Sequence, residues 1–224
     1  MLRFVCGLLL CLLCLRPALA AEKKVEPLAE APVGLSEEVA AAIQPSGFRV
    51  SDDAGVICDV WLAKELPLKA KFKPTLRVKY PFQIGQLIGA IRYPEGAKPT
   101  DFRGQPLKPG LYTLRYGLQP DDGNHLGTSD IRDFLVGCPP DKDVKAARVE
   151  DLKKLFKLSA GAAGTTHPSI YLLAPPPEKP SDAPTVTNNE EKKQTSLEAS
   201  IAGKSGDETV VVPVRVVVQG KTEG

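Results

Sequence analysis

Methionine and tryptophan each occur once in these 224 residues, histidine twice, and aromatic side chains make up only 6% of the chain. The scarcity of histidine restricts catalysis first. Any histidine mechanism must use His125 or His167, and neither lies in H-E-x-x-H or another metal-ligand spacing. Of the five cysteines, Cys6, Cys11 and Cys14 fall within the first twenty residues, leaving Cys58 and Cys138. Neither of these two belongs to a C-x-x-C or C-x-x-C-H pattern, which argues against haem attachment, thioredoxin-like redox chemistry and cysteine zinc sites. G-x-S-x-G is missing, so Ser129, although close to His125 and Asp130, has no nucleophile-elbow setting. Gly85, Gly89 and Gly96 form neither a phosphate-binding G-x-x-x-x-G-K-[ST] loop nor the dinucleotide pattern G-x-G-x-x-G.

The one long apolar run is at the start. Arg3 supplies a positive beginning, residues 4–15 an apolar core of about 12 residues, and Ala18-Leu19-Ala20 a small-residue cleavage pattern. A bilayer-spanning helix needs roughly 20 apolar residues. Residues 1–20 therefore read as a signal peptide cleaved near Ala20, which predicts a secreted or periplasmic protein with no membrane span. Cys14 is not a lipidation site, because the bulky Leu13 stands where a small residue is needed. Cleavage removes Arg3 and Arg16 from the 29 basic residues and no acid, leaving basic and acidic residues balanced at 27 each. Nucleic acid is therefore not an expected partner, since it selects a clustered basic excess. In an oxidising compartment Cys58 and Cys138 either form one disulfide or serve as two small buried hydrophobes, and both readings stay open.

The remaining residues carry short apolar segments with period two, which predicts strands. Residues 21–34 are polar and read as a disordered leader, residues 35–219 as one β-sandwich domain, and residues 220–224 as a tail. Within the domain, proline and charge at 174–194 predict a mobile insertion. Ser36 is placed to cap a short helix over 37–44, with Val39, Ala40 and Ile43 as its buried stripe. A second amphipathic helix is expected over 144–158. Strands are expected at 48–51, 56–62, 83–93, 111–118, 132–138, 170–173, 195–201 and 209–219. Pro213 in the last of these requires an edge or a bulge. No β-α-β alternation occurs, so the expected fold is mainly β, a single antiparallel β-sandwich with two short helices.

Residues 101–134 hold the clearest strand and the densest polar cluster. Pro109-Gly110 signals a turn, and Tyr112, Leu114, Tyr116 and Leu118 alternate behind it as a core-facing set. Leu107 to Tyr116, LKPGLYTLRY, resembles the L-x-P-G-x-Y-x-L turn and strand of secreted β-sandwich modules of the transthyretin-like and carboxypeptidase-regulatory-like type. That resemblance covers about ten residues and implies an accessory or binding domain, without functional residues to carry over. The candidate binding residues are Asp121, Asp122, Asn124, His125, Asp130, Arg132 and Asp133. Clustered oxygens of this kind can hold Ca or Zn, although Gly123 comes too early for an EF-hand loop, and no cofactor is expected. The leading expectation is an exported non-catalytic module that binds an exported protein or a polysaccharide through its loops. Exposed Trp or Tyr would favour the sugar. The alternative is a metal-dependent exported hydrolase using His125 and its neighbouring acids.

Overall fold

The computed structural model describes residues 22–120, 129–179 and 183–222. Among them the strands run β1 Lys24–Leu28, β2 Gly47–Asp52, β3 Gly55–Leu62, β4 Glu65–Pro67, β5 Leu87–Tyr93, β6 Gly110–Leu118, β7 Asp133–Cys138, β8 Ser169–Ala174, β9 Thr185–Asn189, β10 Gln194–Ser205 and β11 Glu208–Gln219. The helices are α1 Glu37–Ala42 and α2 Leu152–Ala163. Tight turns set the hairpins. Asp52 Oδ1 accepts the Ala54 amide (2.9 Å) at the β2–β3 turn, and Gly206, at φ 65°, joins β10 to β11.

The mainly-β, antiparallel architecture expected from the sequence holds, and its two layers belong to one continuous 11-stranded sheet in the order β1-β2-β3-β5-β6-β7-β8-β11-β10-β4, with β9 also on β10. The sheet folds over at β8, which pairs with β7 through residues 169–172 but with β11 only at Leu173 and Ala174. Tyr80 reinforces this thin seam, donating from its hydroxyl to Ala174 O (2.7 Å) and accepting from Arg215 N (3.0 Å). After β3 the chain passes through Ala63 and Lys64 into β4, which pairs parallel with β10 at Ala202–Lys204. That step carries the first layer across to the second and closes the sheet almost into a barrel.

One core fills the interior. Val60, Ile91, Leu114 and Leu135 from the first layer meet Leu197, Ile201, Val214 and Val216 from the second, and Tyr80 and Phe82, on the irregular connection 68–86, are fully buried among them. Tyr80 stacks on Phe82 at 5.4 Å between centroids, and Phe82 meets Tyr116 edge-on at 5.6 Å. The outer face of the first layer is covered as well. Around α1, Val39 and Ile43 pack on Trp61, Leu87 and Ala90; around α2, Leu155 packs on Val136 and Cys138. Pro213 sits where β11 has β10 alone as neighbour, because pairing with β8 begins only at Arg215, so its missing N–H disrupts no ladder.

Several expectations need correction. Part of the supposed leader is β1, paired with β2 from Lys24↔Ser51 to Leu28↔Gly47, and its Pro27 is tolerated because β1 is an edge. Part of the supposed insertion at 174–194 is β9, whose Val186 packs on the main core. The tail is docked where Thr222 N donates to Phe102 O (2.8 Å). The second helix starts later than periodicity suggests. Residues 145 and 147 turn their carbonyls toward the buried Arg115 guanidinium instead of into a helix, and Asp151 provides the cap, accepting from Lys153 N (2.8 Å) and Lys154 N (3.2 Å). In α1, Ala40 is exposed and only Val39 of the helix is buried.

The disulfide reading of the cysteines is also overturned: Cys58 and Cys138 are free and buried. Cys58 belongs to the interior core and Cys138 to the cluster under α2, on the opposite face. β5 and β6 stand between their strands, so three spacings of about 4.8 Å separate them, on the order of 14 Å, beyond the roughly 7 Å limit for a bridge.

Candidate functional site: two clefts sharing one wall

Of the residues singled out in the sequence, Asp121, Asp122, Asn124 and His125 lie outside the described residues. The structure divides the others by role. Asp133, the first residue of β7, is fully buried. Its carboxylate accepts from the Tyr116 hydroxyl (2.6 Å) and from the amides of Lys79 (2.7 Å) and Tyr80 (3.4 Å), so it anchors the connection that fills the barrel. Burial pushes its pKa above the ordinary value, against the pull of these donors. Arg132 donates from Nε to Gln119 O (2.8 Å) and from its amide to Arg77 O (2.7 Å), which secures the base of the β6–β7 connection. Asp130 is exposed and lines a cleft.

That cleft, of about 780 Å³, lies on the outer face of the second layer, between the 129–131 segment and the β9–β10 hairpin. Asp130, Glu190, Glu191 and Glu198 line it, against Lys192 and Arg215. Glu198 is already engaged, because Arg215 Nε lies 2.7 Å from its Oε1. Asp130, Glu190 and Glu191 then stand against Lys192 alone, so the balance of the rim is acidic.

A second cleft, of about 580 Å³, lies on the other side of the same wall, between β6, β7 and α2. Its floor is apolar, made by Leu118, Phe134, Val136, Phe156 and Ile170, with Arg103 and His167 among its lining residues. The shared wall is a small cluster in which Phe102, lining the first cleft, packs against Phe134, lining the second, at 6.1 Å between ring centroids.

Buried polar bonds position the two basic side chains. Asp101, fully buried, accepts from the amides of Arg103 (3.0 Å), Gln105 (2.8 Å) and Ile170 (3.1 Å), which binds the turn carrying Arg103 to the start of β8. Gln105 Nε2 donates to Pro168 O (3.1 Å); Thr165 donates to Gln105 Oε1 (2.9 Å) and accepts from the His167 amide (3.1 Å). Ser159 holds α2 down, donating to Gly137 O (2.7 Å) and accepting from Ser169 N (3.0 Å). Arg103 and His167 stand 64 positions apart, and no spacing in the sequence marks them as neighbours.

The side chains that stack on sugars are all inside. Trp61 is fully buried, with Nε1 donating to Glu30 O (2.8 Å), and all five tyrosines are 6% exposed or less. Among the described residues no group of three or more His, Cys, Asp or Glu is gathered for a metal ion, and no helix is long and apolar enough to cross a membrane. Comparison with protein families, curated proteins and solved structures finds no match.

Proposed function

We propose that the chain is an exported, non-catalytic binding module, in the manner of the transthyretin-like modules its β6 turn and strand resemble, and that it engages a protein partner through the acidic cleft. The observation that carries this reading is the burial of Trp61 and of all five tyrosines, which leaves a polysaccharide no Trp or Tyr platform to stack on. The acidic rim of Asp130, Glu190 and Glu191 favours a partner segment bearing Lys or Arg, and such complementarity acts mainly on specificity and association rate.

Pull-down from the exported fraction with the wild type and with the Asp130→Lys/Glu190→Lys/Glu191→Lys variant tests this, together with a glycan array. The expected outcome is one partner retained by the wild type, lost by the folded variant and released by salt, with an empty array. Saturable glycan binding, or a measured turnover on any substrate, overturns it.

A further inference from the structure

We infer that the apolar cleft under α2 is a second, independent binding site, for a small anionic amphiphile of the acyl carboxylate class. Its hydrocarbon body would lie on Leu118, Phe134, Phe156 and Ile170, and its head group would meet Arg103 and His167. Three features support this. The cleft is of ligand size, about 580 Å³ against the roughly 300–1,000 Å³ typical of small-molecule sites. Leu118, Phe156 and Ile170 are only half-buried although their strands and helix are packed, so apolar surface stays uncovered where they line the cleft. The third feature is charge. The Arg103 guanidinium and the His167 imidazole have no hydrogen bond or ion pair with the described residues, although the backbone beneath each is held by the Asp101, Gln105 and Thr165 bonds.

A guanidinium fixed at its base and free at its tip suits a carboxylate, which it can hold through two parallel N–H···O bonds, while the adjoining ring N–H donates a further one. Among the described residues no acid lines this cleft, so an amphiphile with a cationic head would find no counter-charge among them. Recognition thus needs both halves of the ligand: an apolar body without a charge leaves Arg103 and His167 unused, and a free anion without a body leaves the floor exposed. The acidic cleft lies across the Phe102–Phe134 wall and takes no part.

The test is calorimetric titration of the purified chain with octanoate, octan-1-ol and octylammonium below their aggregation concentrations, with the Arg103→Glu/His167→Glu variant beside the wild type. Octanoate is expected to bind saturably with one site and octylammonium not to bind, and the variant should weaken octanoate at least tenfold at an unchanged unfolding midpoint. A second measurement needs no variant: octanoate should shift the NMR resonances of Arg103, His167 and Ile170 together. No saturable octanoate binding to the wild type, equal binding of octylammonium, or resonances that move elsewhere overturns the assignment. None of these results depends on whether a protein partner occupies the acidic cleft.

Discussion

Arg115 is fully buried on the outer face of β6 and uses its whole guanidinium: Nε meets Asp143 Oδ2 at 2.7 Å, and the terminal nitrogens reach Gly85 O (2.8 Å), Ala147 O (2.9 Å) and Lys145 O. Replacing it with methionine leaves the buried Asp143 with the Thr113 hydroxyl but without its cation, and the expected loss is about 3–5 kcal/mol in urea unfolding. Two other buried aspartates should respond to pH in opposite senses. Burial pushes Asp133 up, so the folded state holds its proton more tightly than the unfolded chain. Relative to Asp133→Asn, the wild type should be most stable below about pH 4 and lose stability as pH rises through the folded-state value. At Asp59 burial also raises the pKa, but Arg49 (2.7 Å) and Arg92 (2.6 Å) outweigh it and hold the carboxyl below its ordinary value. Relative to Asp59→Asn, the wild type should therefore keep its advantage above about pH 4 and lose it as pH falls through the folded-state value. Urea midpoints measured across the acid and neutral range for the three proteins distinguish the two slopes.

At the scale of elements, α2 depends on its cap and the first layer on one glycine. Asp151→Ala removes the acceptor for two amides of the first turn and should cost about 1 kcal/mol. Gly89 pairs with Leu62 at the end of the β3–β5 ladder, and a methyl there would come within 2.1 Å of Trp61 O, a backbone atom with little room to move. Gly89→Ala should lower stability by about 1–3 kcal/mol or more, with the near-ultraviolet signal of Trp61 altered, since the tryptophan is buried beside the strained contact. A wild-type spectrum would show that the strands part easily there.

For the whole molecule, the alternation of side chains along β3 and β7 turns Cys58 into the interior and Cys138 outward under α2, on opposite faces of the first layer, and burial pushes both thiols far above the ordinary cysteine range. In the native protein neither thiol should react with Ellman's reagent. Under non-reducing denaturation of protein prepared to begin at Ala21 two should titrate, and a count of zero would contradict the arrangement of the strands. Deleting residues 22–28 tests the other margin of the sheet. Without β1 the backbone edge of β2 is exposed and Leu28 leaves the cluster around Trp61, so the truncated chain should melt lower and self-associate.

Much of the fold was legible because strands, turns and caps are local. Period two in residues 111–118 placed Tyr112, Leu114 and Tyr116 in the core, and Ser36 caps α1 as its type and position indicate. The sequence also determined which chemistries have no motif in the chain and how its charges balance. Periodicity could not reveal that β1 and β9 are strands, because on edges only one or two residues of each face a core and the pattern is too short to register. Nor could it reveal that 145–147 gives up helix for Arg115, which comes from a strand some 30 residues earlier. The candidate site divides in the same way. Asp130 was identified by composition and does line a cleft, whereas Asp133, of the same type and three positions on, is buried as a structural acceptor. Arg103, His167 and Phe156 came to line one cleft only through tertiary structure, because the burial of Asp101 beside the start of β8 and the docking of α2 bring together segments whose contacts depend on chain path and packing rather than on local sequence.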